Sequence, residues 1–223
     1  MALVAPNVVH NICHSVRYGR YRSTVVKFSP LFLYPLEATQ SDVDSLFTHA
    51  AYEIILGNVD FTNVRVYRVP GGKWKYLLFD VEACWRNLDK TPLEYYIKPV
   101  SAKIQGFRHE PLNALLAVPE MKAKFLTRVA EILEKDFQWP DVEAHFNKVI
   151  DLLEPILPRH IARWKNMKLS NWQKNISATE YYARVRPKKI PEMLQKAMKL
   201  TDEEVETYFG EVLRLLEETN TKK

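Results

Sequence analysis

The sequence predicts an α+β fold, predominantly helical, with one β-hairpin at its centre. Three observations carry this. Apolar residues recur at helical spacing over positions 43–55 and again almost continuously beyond residue 110. Between these stretches, residues 64–78 gather β-branched and aromatic residues around a Gly71-Gly72 turn. The 223 residues are 47% apolar and 12% aromatic, enough to bury a substantial core and far from the composition of a disordered chain.

Taken in order, residues 1–40 form a poorly defined N-terminal segment in which 23–28 and 31–34 read as short strands. Residues 41–219 read as one unit. Ser41, with Asp44 three residues on, is the expected N-cap of a helix whose stripe is Val43, Leu46, Phe47, Ala50, Ile54 and Ile55. Gly57 closes it as a C′ glycine. The hairpin follows, with Val64, Val66 and Tyr67 on one strand and Trp74, Tyr76, Leu77 and Leu78 on the other. From Glu82 to Arg108 no period is visible, and Trp85, Tyr95 and Tyr96 make that stretch an ordered loop, either anchored to the domain or serving as a substrate platform. Pro119 opens a helix with Met121, Phe125, Val129, Ile132 and Leu133 on one face. Asp141 is the expected cap of the next, which carries Val142, Phe146, Val149, Ile150, Leu153 and Ile156 and is kinked by Pro155 and Pro158. Ser170 is the expected cap of a third, Pro191 the start of a fourth, and Thr201 with Glu204 the capping box of a fifth.

Composition excludes several classes of function. No apolar run approaches the ~20 residues that span a bilayer, and the first seven residues lack a basic leader, so neither a membrane span nor a signal peptide is expected. Cys13 and Cys84 are too few for a disulfide framework, and the His10, Cys13, His14 triplet is weak as a metal clip. Residues 159–199 hold eleven Lys or Arg against two Glu, whereas residues 201–223 are acidic. A solvated helix face accounts for the basic stretch, and no RNA- or DNA-binding signature accompanies it, so nucleic acid is not the expected partner.

Chemistry concentrates around the hairpin. The segment Gly57-Asn58-Val59-Asp60-Phe61-Thr62-Asn63 leads into the first strand, and Phe79-Asp80-Val81-Glu82 leaves the second. Two strands joined by a turn put their outer ends side by side, so Asp60, Asn63, Asp80 and Glu82 are expected to converge. Hard oxygen ligands in that arrangement suit Mg²⁺ and a phosphate chain. Asp60 then serves as base or substrate-orienting carboxylate, Asn63 as metal-facing amide and Asp80 as the main metal ligand. By spacing alone, Asp-x-x-Asn before a strand is more often a simple turn. Arg65 and Arg68 either neutralise the carboxylates or face water, and Arg163-Trp164 reads as a helix end packed on the hairpin.

These residues carry a resemblance. Gly57-Asn58-x-Asp60-x-x-Asn63-Val64-Arg65-x-Tyr67-Arg68, then Gly72-Lys73-Trp74-x-Tyr76 and Phe79-Asp80-x-Glu82, closely resemble the C-terminal lobe of the CotH (spore coat protein H) kinase family. Residues 119–137, the run from Glu154 to Trp164, and Trp172 through Tyr182 to Arg186-Pro187 continue it, over roughly 41–210. The resemblance implies an atypical protein-kinase-like C-lobe that uses ATP and Mg²⁺ to phosphorylate protein hydroxyls, in some members on spore-coat or surface proteins. It makes Asp60 and Asp80 the essential acidic residues, Asn63 and Arg65 cofactor contacts, and Asp80, Asn63 and Glu82 the metal ligands. Glu82 stands where many members carry a second Asp.

One departure stands beside it. The family's N-terminal lobe has no visible counterpart in residues 1–40, and with six Gly in all the chain carries no glycine-rich phosphate loop. Lys27 is a weak stand-in for a phosphate-binding lysine. The chain therefore reads as a C-lobe whose partner lobe is missing, truncated or supplied elsewhere. The alternative is a catalytically deficient lobe that acts as a binding or structural module.

Overall fold

A computed structural model describes residues 41–60, 64–86, 88, 93–97 and 110–221. The strands expected at 23–28 and 31–34, Lys27, the His10, Cys13, His14 triplet and Asn63 lie outside the described residues. The described fold is mostly helical with one two-stranded antiparallel sheet. In order it contains α1 (Val43–Leu56), β1 (Arg65–Tyr67), β2 (Lys75–Leu77), α2 (Leu93–Ile97), α3 (Glu110–Leu116) and α4 (Pro119–Asp136). Then come α5 (Trp139–Leu153), a 3₁₀ turn (Glu154–Ile156), α6 (Leu157–Trp164), α7 (Leu169–Met198) and α8 (Asp202–Thr221).

Helix α1 is the centre of the core. Its predicted stripe is buried apart from the half-buried Val43, and Ala51 on the adjoining face is buried too, so α1 is wrapped on more than one side. It packs on α4, where Phe47 meets Phe125 edge-on at 5.5 Å, and on α7 and β2. Phe125, Leu126, Val129, Ile132 and Leu133 of α4, Ile190 and Leu194 of α7, and Phe209, Val212 and Leu216 of α8 complete the cluster. Each large side chain buried in this way stabilises the fold by roughly 1.5–3 kcal/mol.

The start of α1 also holds the hairpin. Its N-cap is Asp42, not the expected Ser41: Asp42 Oδ1 accepts the Ser45 N–H at 3.0 Å. Ser41 is drawn away because it pairs as an isolated parallel bridge with Trp74, and the Asp42 N–H donates to the Trp74 carbonyl at 2.7 Å. Ser45 Oγ accepts from the Tyr76 N–H at 3.0 Å. The ribbon is thereby fastened to one end of the helix whose other end carries Asp60. In it Arg65 faces Leu77, Val66 faces Tyr76 and Tyr67 faces Lys75.

Several helix boundaries differ from those expected. Helix α5 starts at Trp139, two residues before Asp141, because Pro140 in its first turn gives up only an N–H that the helix would leave unpaired. Pro155 and Pro158 break the chain into a 3₁₀ turn and a separate α6. Helix α7 begins at Leu169 with Lys168 at its N-cap, not at Ser170, and runs unbroken for 30 residues through Pro187 and Pro191. An interior proline costs about 3 kcal/mol. Here Ala183, Arg186, Pro187, Ile190, Pro191 and Leu194 are all buried, and that packing offsets the cost. The periodless stretch contains α2, whose Leu93 and Tyr96 are buried core residues.

The α5 stripe is largely unburied. Val149, Leu152, Leu153 and Ile156 are exposed, and only Trp139 of that helix is buried. Trp164 stands in solvent beside the Arg163 guanidinium, 5.5 Å from its ring centroid, instead of packing on the hairpin.

Candidate functional site

The site is built on the C-terminus of α1, where every terminal carbonyl can be accounted for. Gly57 adopts the left-handed conformation at φ 64°, and its N–H donates to the Ile54 carbonyl while the Asn58 N–H donates to that of Glu53. This is the paired closure of a Schellman motif. Arg186 arrives from α7, 0% exposed, and donates Nε to the Ile55 carbonyl at 2.8 Å, Nη2 to that of Ile54 at 3.0 Å and Nη1 to that of Leu88 at 2.7 Å. The Trp85 N–H takes the Leu56 carbonyl at 3.0 Å. Glycine is required at position 57 twice over: for its positive φ, and because a Cβ there would lie 2.4 Å from Arg186 Cζ.

From this anchored end the chain presents Asp60. Asn58 is buried, and its Oδ1 accepts the Asp60 N–H at 3.1 Å, an Asx turn that fixes the backbone of the acidic residue. The Val59 N–H donates to the Ala83 carbonyl at 3.4 Å, which ties the loop before β1 to the loop after β2. Asp80 sits at φ 60°, a left-handed conformation that Asp tolerates better than most residues and that often marks functional strain. Asp60, Asp80 and Glu82 are all exposed. The Glu82 carboxyl shares a hydrogen bond with that of Asp80, which raises Glu82 above the ordinary carboxylate range; repulsion from Asp80 and Asp60 adds to this. Of the expected set, Asp80 and Glu82 lie together, and Asp60 is near enough for its charge to act on Glu82.

The donor chemistry fits a magnesium ion in one particular sense. Among the described residues no group of three His, Cys, Asp or Glu closes around a single point. Mg²⁺, however, is ordinarily held by one or two carboxylates and completed by phosphate oxygens and water. Two carboxyl groups that share a hydrogen bond, with a third close by, offer that set.

The basic residues nearby take other partners. Arg65 stacks on Phe79 at 3.6 Å and Arg68 on Trp74 at 4.8 Å from the ring centroids. Tyr67, Leu77, Leu78 and Phe79 are exposed, which leaves an apolar strip running up to Asp80.

Beneath the loop lies a buried polar pocket that the sequence reading passed over. Glu53 and His49 are each 2% exposed, one turn apart on α1, with His49 Nε2 3.8 Å from Glu53 Oε1. Burial pushes the Glu53 carboxyl up to about 7; the nearby Asn58 amide opposes the shift and the charge of Asp60 adds to it. Burial pushes His49 down to about 4. Glu53 Oε2, Asn58 Nδ2 and Trp85 Nε1 are buried without a hydrogen-bond partner. Cys84, alongside, has its thiol raised, chiefly by burial, so it is not an activated nucleophile. The signal that could have found this pocket is a Glu and a His four residues apart within an otherwise apolar stretch of α1.

The chain is a helical domain with one small β-ribbon fastened to its central helix. The family model described as CotH kinase protein matches residues 38–190, more than two thirds of the chain, and the chain belongs to the CotH kinase family. No curated protein and no solved structure matches it.

Proposed function

We propose that the chain is the catalytic-loop half of an atypical, CotH-type protein kinase that transfers phosphoryl from ATP to a protein hydroxyl. The observation that supports this reading is the Asp80–Glu82 carboxyl pair in the loop after β2, tied through the Val59–Ala83 hydrogen bond to the loop that carries Asp60. Asp80 and Glu82, with Asn63, provide the oxygen ligands for a nucleotide-bound Mg²⁺. When bound, that ion neutralises charge on the phosphate chain. Asp60, held by Asn58, orients the acceptor hydroxyl and takes its proton. Arg65 and the apolar strip of Leu77, Leu78 and Phe79 border the space where the nucleotide lies. Protein substrates follow from the family, with spore-coat or surface proteins as the expected acceptors. No helix among the described residues is long and apolar enough to cross a membrane.

The test is Asp80→Asn in the full chain, assayed for Mg²⁺-dependent phosphoryl transfer from ATP. Loss of at least about a hundredfold is expected for removal of a metal-binding charge; unchanged turnover removes Asp80 from the mechanism. The exposed ribbon also supports a second reading, a non-catalytic binding module. Thermal unfolding with MgATP separates the two. Ligand at about 100 times its Kd stabilises the folded state by roughly 2.7 kcal/mol, and a flat response favours the module.

A further inference from the structure

We propose that Glu53 is a positioning residue for the Asp60 loop: from inside the core it fixes the orientation of the Asn58 carboxamide, which in turn holds the backbone of Asp60. The inference starts from a cost. A helix that served only the fold would place an aliphatic residue at position 53, among Ala50, Ala51, Ile54 and Ile55, all of them 0% exposed. A carboxyl in that setting is expensive unless it has a task. Its surroundings name the task.

Asn58 is tied to Glu53 and Asp60 at once. Its N–H donates to the Glu53 carbonyl and its Oδ1 accepts from the Asp60 N–H. With the carbonyl side of the carboxamide committed to Asp60, its Nδ2 faces inward. That nitrogen is buried and has no partner at hydrogen-bond distance, and Glu53 Oε2 is buried in the same condition. One is a donor and the other an acceptor, and the Asn58 amide is the group that favours the charged form of Glu53. A small approach satisfies both atoms and locks the carboxamide with its oxygen toward Asp60. Other titratable groups around Glu53 leave this pairing as the natural one: His49 is kept neutral by burial, Cys84 is a raised thiol, and Asp60 acts only through repulsion. Arg186 is engaged with the carbonyls of Ile54, Ile55 and Leu88.

This role rests on the phosphotransfer reading for its effect on rate, and on geometry alone for its effect on the loop. The two are tested separately. Glu53→Gln keeps the side-chain size but leaves one acceptor oxygen where Glu53 has two, so the Asn58 carboxamide is no longer locked with its oxygen toward Asp60. In the full chain, the Asp60 amide is expected to exchange with deuterium at least about tenfold faster than in the wild type. Turnover of MgATP should lose about tenfold or more in kcat, with KM within about threefold, because the misplaced group acts on the reacting centre and not on nucleotide binding. Asn58→Ala, which removes the Asx cap directly, should reproduce the exchange result. The double variant Glu53→Gln/Asn58→Asp restores one donor facing one acceptor and should return exchange to within about threefold of wild type. A merely structural Glu53 would not be rescued by that swap. Exchange in Glu53→Gln within twofold of wild type overturns the proposal. A wild-type chain that exchanges as expected but shows no Mg²⁺-dependent turnover defeats the phosphotransfer reading and leaves the positioning role standing.

Discussion

The Gly57–Asp60 turn is held between two buried polar side chains of opposite character. Arg186 donates to three carbonyls at 2.7–3.0 Å and finishes the terminus of α1. Glu53 lies equally deep, yet one of its oxygens and the amide nitrogen beside it lack hydrogen-bond partners. A satisfied buried network rigidifies, whereas an incomplete one stores a preference that a small movement can release. Arg186 should therefore govern stability, and Glu53 should govern the loop at some expense to stability. Mutations can break that division of labour.

The largest effect is expected for Arg186→Met. It removes a buried charge hydrogen-bonded to three carbonyls and takes their side-chain donor from Ile55 and Leu88, a loss of about 3–5 kcal/mol in denaturant unfolding. Arg186→Lys should recover only part of this, since one ammonium cannot reproduce a planar fork reaching three acceptors. A Met variant within 1 kcal/mol of wild type would mean the network is ornamental.

On the other side, the comparison predicts a gain. Glu53 has a folded-state pKa of about 7 against an ordinary 4.5, so between these values the folded chain binds more protons than the unfolded one. Its contribution to stability is thus lost as pH rises through that window, by up to about 3 kcal/mol on the alkaline side. His49, with a folded value of about 4 against 6.5, does the reverse: the folded chain binds fewer protons there, so stability rises with pH from about 4 to 6.5. The two slopes oppose each other in the wild type. Glu53→Gln should expose the His49 slope and be more stable at pH 8 than the wild type, while His49→Gln should show stability falling from pH 4.5 to 7. Melting temperatures across pH decide it; identical profiles for all three proteins would remove the pocket from the linkage. A variant that gains stability while the loop loosens is the trade expected of a functional buried charge.

How much of this could be read beforehand depends on the range of each interaction. The α1 stripe, the Gly57 terminus, the Pro119 start and the Thr201–Glu204 box are local, set by neighbours within four residues, and each was legible. Ser41 failed as a cap because Trp74, 33 positions on, claims it. Pro191 was read as a helix start because its local rule is strong, yet the burial of the surrounding turn overrides it. The closeness of Asp80 and Glu82 follows from their adjacency in the loop after β2. Arg186 was not legible, since its acceptors lie 98–132 positions away, and neither was the pocket, because Cys84 and Trp85 reach the end of α1 from beyond the hairpin.

Gly57→Ala probes the Arg186 side from the turn itself. The left-handed conformation costs a Cβ-bearing residue about 1–2 kcal/mol, and the added methyl also displaces the guanidinium. A loss of at least about 2 kcal/mol is expected, and it should be non-additive with Arg186→Met, because the second change removes what the first collides with. Full additivity would show that the two residues act independently.

The smallest effect calibrates the rest. At the start of α8 the Glu204 N–H donates to Thr201 Oγ1 at 3.1 Å and the Thr201 N–H donates to Glu204 Oε2 at 2.8 Å, all in solvent. Thr201→Ala should cost about 1 kcal/mol, the usual value for an exposed N-cap. Arg186 caps the other kind of helix end, in the dry core, where water cannot replace a lost donor. If the two caps proved equal in worth, burial would not be what makes Arg186 strong, and the contrast with Glu53 would have to rest on charge alone.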